Sequence, residues 1–316
     1  MVIRRARSAL LFVAIGLAIY AALYGAAERL LHRTGHANAL FKIATAEEPA
    51  FDWVILGASH AMPLGFGDFN AQMERATGLR ILNLASPGTG PLYNRFVLES
   101  FLRGHRARSL LYVLDSFAFY SRAWNEDRFA DAKLLRRTPF EAATARLLWR
   151  YAARDGVEVR AVLDYVTGFS KVNDRERFQR DVWEGEAQFE RVYRTSASAV
   201  AKRIAYLYPA PPSPRALERY LAELSSAITV ARQAGTCVVA IKMPLPSSFR
   251  SKLPEEDAFD AAVSRLLAER GAPFHDFSCD VDEARFYSDT DHLNRSGVSA
   301  FFARDLEEVL RAGCPR

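Results

Sequence analysis

Two short segments, far apart in the chain, hold the residue types that acyl-transfer chemistry requires. The first is Gly57-Ala58-Ser59-His60, which follows the apolar run Trp53-Val54-Ile55-Leu56. The second is Asp289-Thr290-Asp291-His292, just before the final predicted helix. A serine on a tight turn after a strand is a weak nucleophile until a base removes its proton, and an imidazole oriented by a carboxylate is the usual base. The chain offers these groups in the order Ser, Asp, His, which predicts an esterase or an acyltransferase.

Each of these residues has a predicted role and an alternative. Ser59 is the predicted nucleophile, although a serine after a strand also commonly caps the next helix. His292 is the predicted base. Asp289 is its predicted orienting carboxylate, because a side chain three residues earlier can turn back to the ring, whereas the adjacent Asp291 is expected to point away. His60 is a rival base, but neighbouring side chains on a turn diverge.

The predicted oxyanion hole combines the backbone N–H groups of Ser59 and Gly88. Gly88 lies in the loop 85–91, which is rich in glycine and proline. A glycine at this point lets the backbone approach a substrate, and Gly90 is the fallback donor. The loss of one such donor typically costs about 3 to 4 kcal/mol of barrier, so the pair matters as much as the base.

The elements that must position these residues alternate between short apolar runs and helices, which is typical of a parallel sheet covered on both faces. Strands are predicted at 52–57, 80–84, 109–114, 236–241 and 273–277. Helices are predicted at 66–77, 92–103, 215–233, 254–270 and 294–312. In open α/β sheets, ligands bind beyond the carboxyl ends of the strands. Ser59, Gly88 and Asp115 each follow such an end, so we expect them at one edge with the segment that holds Asp289 and His292.

The alternation is interrupted from about 116 to 214, where the chain is aromatic, charged and helical in many windows. We interpret this part as an insertion or cap within a catalytic domain that covers 51–316. The proline cluster 209–214 marks its end, since clustered prolines cannot continue a helix.

The amino-terminal part predicts a membrane anchor. Residues 9–27 carry no charge, and in a helix they span roughly 28 Å, close to the hydrocarbon thickness of a bilayer. Arg4, Arg5 and Arg7 precede them and favour a cytoplasmic amino terminus, hence a single-pass protein of the cytoplasmic membrane with an extracytoplasmic domain. We therefore predict a tail and anchor at 1–27 and a juxtamembrane stalk at 28–50. A cleaved signal peptide is the alternative, because Gly25-Ala26-Ala27 resembles a cleavage site.

Charge and cysteine content limit the classes of protein to which the chain could belong. The formal net charge is +5, and no basic run interleaves with aromatic residues, so the sequence gives little support for nucleic-acid binding. Cys237 lies in an apolar strand and is expected as a core residue. Cys279 and Cys314 are the pair that we consider for a disulfide in an oxidising compartment, and the odd count leaves one thiol free. Neither zinc-ligand spacing nor a phosphate loop is present in the sequence, so no metal and no cofactor are expected.

With these residues assembled, the chain resembles the SGNH (GDSL-like) hydrolase superfamily. Gly57-Ala58-Ser59 corresponds to the block that carries the nucleophile, Leu84-Ala85-Ser86-Pro87-Gly88 resembles the second block, and Asp289-Thr290-Asp291-His292 resembles the last. The resemblance covers 51–115 and 215–312. It implies a flavodoxin-like three-layer α/β/α sandwich and supports Ser59, His292 and Asp289 as the triad, with Gly88 as an oxyanion donor.

The third block of the family, Gly-x-Asn-Asp, is not matched. Strand three ends in Val113-Leu114-Asp115-Ser116-Phe117, which leaves the oxyanion asparagine without a counterpart and Asp115 without a clear role. This divergence resembles the membrane-anchored branch associated with O-acetylation of polysaccharides and with D-alanylation of teichoic acids. The resemblance implies an acyl ester, on a surface glycan, as the substrate and a membrane-bound O-acyltransferase as a partner.

Two further functions stay open from the sequence. A non-catalytic glycan-binding or assembly subunit would keep the fold without the third block, and aromatic residues of the insertion would then stack on sugars. These aromatic residues are Phe117, Phe119, Tyr120 and Trp124. Ordinary packing is the simpler interpretation of such residues. A lipase-like enzyme acting on membrane lipids is the third possibility, suggested by the anchor.

Overall fold

The computed structural model of the protein describes residues 2–36, 38–194 and 196–314, with side chains for all of these except 2–5, 132 and 133. Five parallel strands form one sheet in the order β2-β1-β3-β4-β5. The strands are β1 Ala50–Leu56, β2 Ile81–Asn83, β3 Arg106–Val113, β4 Cys237–Lys242 and β5 Phe274–Asp276. This order is that of the flavodoxin-like doubly wound fold. The predicted fold class is confirmed, and the five predicted strands match to within a few residues at each end.

Alternate residues of the strands enter two separate cores, which makes the sandwich three layers thick. On β1, Val54 and Leu56 face one core, while Trp53 and Ile55 face the other. The first core is covered by α4 Pro91–Phe101, α11 Pro214–Gln233 and α13 Glu256–Glu269. The second core is covered by α3 Phe69–Thr77, α14 Arg295–Phe301 and α15 Glu307–Ala312. Burial on both faces explains why the strands appear as continuous apolar runs in the sequence.

The final helix, predicted as one element, contains a π-helical turn at Phe302–Leu306 between α14 and α15. Asn294 caps the start of α14, because its side chain accepts the N–H of Gly297 at 3.0 Å. An asparagine is one of the side chains that most often cap a helix in this way. The cap matters for the site because Asn294 lies two residues after His292 and fixes where the preceding turn ends.

The insertion between β3 and α11 is helical, with short 3-10 turns and no β-strand among its described residues. Its helices are α5 Ala132–Leu135, α6 Ala142–Arg154, α7 Val159–Thr167, α8 Phe169–Val172, α9 Glu184–Ala187 and α10 Ala197–Leu207. A further single turn, α12 Ser247–Arg250, follows β4. The aromatic residues considered for sugar stacking, Phe117, Phe119, Tyr120 and Trp124, are all buried in the first core. A role in stacking on sugars is therefore wrong for them, because their rings already pack against the protein.

The amino-terminal helix α1 runs unbroken from Val2 to Thr34. Residues Ala6–Thr34 are long and apolar enough to cross a membrane, by length and composition. The side chains from 6 to 19 are exposed, whereas contacts with the insertion begin at Tyr20. At the far end, Thr34 accepts a hydrogen bond from Arg137 at 3.0 Å. The second half of α1 is thus fixed to the insertion.

Residues 28–50, predicted as a stalk, contain the end of α1 and α2 Ala39–Thr45. Asn38 caps α2, because its side chain accepts the N–H groups of Leu40 and Phe41. Leu40 and Ile43 are buried in the first core beside α4. This segment therefore packs on the domain.

A disulfide joins Cys237, the first residue of β4, to Cys314, which follows α15, with the two Cα atoms 6.3 Å apart. The pairing of Cys279 with Cys314 considered from the sequence is wrong, and so is the view of Cys237 as a simple core residue. Cys279 is an exposed free thiol beside Arg250. Local sequence gave no indication of the true pair, because the partner of Cys314 is set by where the last helix ends against the sheet.

Candidate active site

The turn that presents Ser59 depends on Gly57. The φ angle of Gly57 is 154°, and a Cβ on it would lie 2.8 Å from the Cβ of Val113 on the neighbouring strand. Only glycine fits this position, and it turns the chain from β1 into a 3-10 helix, Ser59–Gly65. Ser59 therefore lies at the carboxyl edge of the sheet, where the sequence predicts it. Its side chain is buried, with 4% of the residue exposed.

Asp289 and His292 form the pair predicted from their spacing. His292 Nδ1 lies 2.7 Å from Asp289 Oδ2, and Oδ1 of the same carboxylate accepts the backbone N–H groups of Asp291 and His292. Burial raises the pKa of Asp289, but His292 outweighs this effect and lowers it below the usual range. With the proton on Nδ1 donated to a carboxylate, Nε2 is left as the acceptor that a general base needs.

His60 is held by two carboxylates and is the main feature that the sequence analysis missed. Its Nδ1 bonds Asp115, and its Nε2 lies 3.0 Å from Asp291 Oδ2. Burial opposes the charged ring, but Asp115 and Asp291 raise the pKa of His60 to about 10. His60 is thus an imidazolium at neutral pH with both N–H groups engaged, so it cannot act as the rival base considered above. Asp115, which had no role in the sequence, is its ion-pair partner.

Asp291 points into the site, so the expectation that it would point away is wrong. It is 1% exposed, and Arg203 from α10 bonds it through Nε and Nη2, each 2.9 Å from Oδ2. Burial raises the pKa of Asp291, but His292, Arg203 and His60 together hold it well below its usual value. Since Arg203 comes from the insertion, no local spacing in the sequence could have placed it here.

The surroundings of His292 bring these groups to one place. The ring centroid of His292 lies 4.9 Å from that of His60 and 5.4 Å from that of Trp183. Arg203 Nη2 lies 3.5 Å from His292 Nε2. No hydrogen bond joins Ser59 Oγ to His292 in the part of the chain that the structure describes. Ser59 is nonetheless the chain neighbour of His60, whose ring contacts His292, and catalytic hydrogen bonds are often long before substrate binds.

The loop that carries Gly88 lies against the turn before Ser59. The carbonyl of Gly57 accepts Ser86 N–H at 3.3 Å and the Thr89 hydroxyl at 3.1 Å. Gly88 has φ of 60°, and a Cβ on it would lie 2.7 Å from the ring of Trp124. A side chain is therefore excluded at Gly88, although its role as an oxyanion donor stays a prediction.

His60, Asp291 and His292 offer ligand atoms within 4.8 Å of one another, a spacing at which a metal ion could be bound. Both nitrogens of His60 already bond carboxylates, however, and a protonated imidazole does not ligate. The guanidinium of Arg203 lies against Asp291 and would repel a cation. This chemistry fits an ion-pair network better than a metal centre.

A cleft of about 450 Å³ is lined by Trp183, whose ring contacts His292. Met62 and Ser86 also line this cleft. Arg136 and Gln179 line it as well. Many other lining residues are also polar or charged, so the cleft suits a polar ligand.

No family model and no curated protein matches the chain. A crystal structure of a proposed acylhydrolase from Bacteroides fragilis is similar to it, with 8% sequence identity over 85% of this chain and 94% of that chain, at a TM-score of 0.41. A likeness of this size does not establish a shared activity.

Proposed function

We propose that the protein is a serine esterase or O-acyltransferase in which Ser59, His292 and Asp289 form the triad. Ser59 Oγ attacks the acyl carbonyl while its proton passes to His292 Nε2. The resulting imidazolium then protonates the leaving alkoxide, which releases the alcohol and leaves an acyl-serine. Water or a sugar hydroxyl attacks this ester after His292 removes its proton, and Ser59 is restored.

The observation that carries the proposal is the bond between Asp289 and His292 Nδ1, at 2.7 Å. It fixes the tautomer in which Nε2 accepts a proton, at the carboxyl edge where the strand before Ser59 also ends. His60 does not compete for this role, because it is already protonated and bonded on both sides. Of the two histidines considered as bases, His292 is therefore the one that we propose accepts the serine proton.

We further propose that Arg203 compensates for the missing third-block asparagine. During proton transfer, Ser59 Oγ must lie within hydrogen-bond distance of His292 Nε2, and Arg203 Nη2 is already 3.5 Å from that atom. A guanidinium there would be close to the oxyanion that forms on the attacked carbonyl, together with the N–H groups of Ser59 and Gly88. Donors preset in this way supply much of the barrier reduction in acyl transfer.

The proposed substrate is an acyl ester, most simply an acetyl ester, on an extracytoplasmic glycan. The polar cleft lined by Trp183 is suited to a carbohydrate, and the apolar α1 helix suits a single-pass anchor in the cytoplasmic membrane. The disulfide between Cys237 and Cys314 favours an oxidising compartment for the domain. A membrane-bound O-acyltransferase that supplies the acyl group is the proposed partner.

One observation favours a second function, a glycan-binding subunit without catalysis. Ser59 and His292 are only 4% and 3% exposed, and Arg203 stands beside the nitrogen that must accept the serine proton. A site filled in this way would hold the polymer through the cleft while the chemistry occurred on a partner.

A serine-directed fluorophosphonate distinguishes the two functions. The full chain in mild detergent should become labelled and should hydrolyse a chromogenic acetate, whereas Ser59→Ala should do neither. Ser100→Ala is the matched control, because Ser100 is also buried but lies in α4, where its hydroxyl donates to the carbonyl of Phe96, and it should retain both signals. If the folded protein takes up no label and hydrolyses no ester, it is a binder; if Ser59→Ala still reacts, another nucleophile is responsible.

A further inference from the structure

The tip of the α7–α8 hairpin has an apolar surface that the protein does not cover. Leu163 and Phe169 are 60% and 62% exposed, and Val166 is also exposed. On α7, Leu163 and Val166 share one face, while Val162 and Tyr165 on the other side are buried. This helix is thus apolar both toward the protein and away from it. We use "the tip" for Leu163, Val166 and Phe169.

Contacts with α1 fix the position of the tip along the proposed anchor. The hydroxyl of Tyr20 donates to the backbone carbonyl of Thr167 at 3.1 Å. Gly168 packs so closely on the ring of Tyr24 that a Cβ would lie 2.4 Å from it. Thr167 and Gly168 separate Val166 from Phe169 in the sequence, so the tip lies at the level of Tyr20 and Tyr24.

That level lies inside the apolar stretch of α1. From residue 9, where the uncharged stretch begins, to Tyr20 the helix rises only roughly 17 Å, whereas the hydrocarbon core of a bilayer is about 30 Å thick. A helix that spans this core must therefore carry Tyr20, and the hairpin bonded to it, below the outer surface of the hydrocarbon.

A pair of charged residues marks the end of the apolar stretch of α1 that lies nearer the domain. Glu28 is the first charged residue after the apolar stretch, and it forms an ion pair with Lys171 of α8. Lys171 also lies over the ring of Tyr24, with its Nζ 5.4 Å from the centroid. From Tyr20 to Glu28 the helix rises roughly 12 Å, close to the depth of 5 to 10 Å at which interfacial helices bury their apolar faces.

We infer that the tip inserts into the outer leaflet of the membrane that α1 spans, so the domain contacts lipid at a second place besides its anchor. The inference rests on the anchoring role proposed for α1. The ligand is the lipid at the boundary between headgroups and acyl chains, which would cover Leu163, Val166 and Phe169. The bond from Tyr20 to Thr167 fits this depth, because polar groups in hydrocarbon must satisfy each other.

The test uses the full chain in lipid nanodiscs made of phosphatidylethanolamine and phosphatidylglycerol. Leu163→Cys and Phe169→Cys, each in a Cys279→Ser background, receive an environment-sensitive fluorophore; both replace exposed side chains and should leave the fold intact. Val192→Cys is the control, because Val192 is equally exposed but lies beside Tyr193, which bonds the backbone of Tyr287. Leu17→Cys reports on the anchor itself.

We expect blue-shifted emission at 163 and 169, and a loss of fluorescence when the lipid carries a spin label near the headgroup, with neither effect at 192. If 163 and 169 behave like 192 while Leu17→Cys is quenched, the inference is wrong and the anchor stands. If the fluorophore on Leu17→Cys also reports an aqueous environment, the proposed membrane anchor is wrong as well. Shielding of 163 and 169 in native membranes but not in nanodiscs would identify a protein neighbour and overturn the lipid contact.

Discussion

His60 Nε2 lies 3.0 Å from Asp291 Oδ2, although 231 residues separate the two in the chain. Asp115 bonds the other nitrogen of the ring, and Arg203 bonds the same carboxylate oxygen of Asp291. Two cations and two carboxylates thus alternate in a buried row directly beside His292. The row is neutral as a whole, so removing any one member leaves a charge without its partner.

Replacement of Asp291 by asparagine should therefore destabilise the fold strongly. His60 and Arg203 would be left as neighbouring cations in a buried site, and breaking such a pair typically costs about 3 to 5 kcal/mol. Urea unfolding of the full chain in mild detergent, followed by tryptophan fluorescence, measures the change. Asp289→Asn is the control. Its free energy of unfolding should fall by less, because 36% of the Asp289 side chain is exposed. Equal losses in the free energy of unfolding would show that the row of alternating charges stabilises the fold no more than the partly exposed Asp289 does.

Stability should fall as the pH rises above neutrality. The pKa of His60 is raised from 6.5 to about 10 in the folded protein, so its contribution is complete below pH 6.5 and is lost as the pH approaches 10. Urea midpoints measured between pH 6 and pH 10 report this change. His60→Gln should be less stable at pH 6 and should show a flatter profile across that window. A wild-type profile as flat as that of the variant would contradict the charged state assigned to His60.

Asp289→Asn should reduce kcat for ester hydrolysis by roughly 10⁴, the effect expected when an amide forces the wrong histidine tautomer. The side chain oxygen of asparagine can still accept the backbone N–H of His292, so the turn should survive. Steady-state hydrolysis of a chromogenic acetate measures the rate, and circular dichroism checks the fold. Near-normal turnover would assign the orienting role to another group.

Arg203→Met should lower kcat by about 10² to 10³ if the guanidinium stabilises the oxyanion. Met keeps the length and the apolar stem of the side chain but cannot donate a hydrogen bond. Arg203→Lys is the companion variant; it keeps the charge beside Asp291 and should recover part of the rate. A change confined to KM would instead place Arg203 in substrate binding.

Reduction of the disulfide between Cys237 and Cys314 should lower the free energy of unfolding by about 2 to 4 kcal/mol, since the bond closes a loop with a sequence separation of 77. Urea unfolding with and without a phosphine reductant measures the effect. Cys279→Ser should unfold like the parent chain and remain sensitive to the reductant. Loss of that sensitivity in Cys279→Ser would mean that Cys279 takes part in the bond.

The sheet and one half of the site could be predicted from the sequence because they depend on local patterns. Strands buried on both faces are continuous apolar runs, and the spacing of Asp289 and His292 lets a carboxylate turn back to its own ring. The roles of Gly57 and Asn294 are local as well, because a glycine permits the tight turn after a strand and an asparagine commonly caps the start of a helix.

The other half of the site depends on where segments that are distant in the sequence meet in the fold. The ion pairs of His60 join the end of β1 to the end of β3 and to the last turn, and Arg203 arrives from an insertion whose packing has no periodic signature. The adjacency of Asp291 and His292 in the sequence suggested diverging side chains, yet the two cations that contact Asp291, His60 and Arg203, make the inward orientation favourable. The partner of Cys314 was hidden for the same reason, since only the packed last helix brings it to β4.

The continuity of α1 has a consequence for how far from the membrane the proposed active site could act. The helix enters the domain without a break, and its last turn is bonded to Arg137. On the proposed topology, the rigid connection through α1 holds the cleft lined by Trp183 at a fixed height and tilt relative to the bilayer. A glycan polymer would have to be modified while it passes close to the membrane surface. Glycan chains farther out in the cell envelope would not reach the proposed active site.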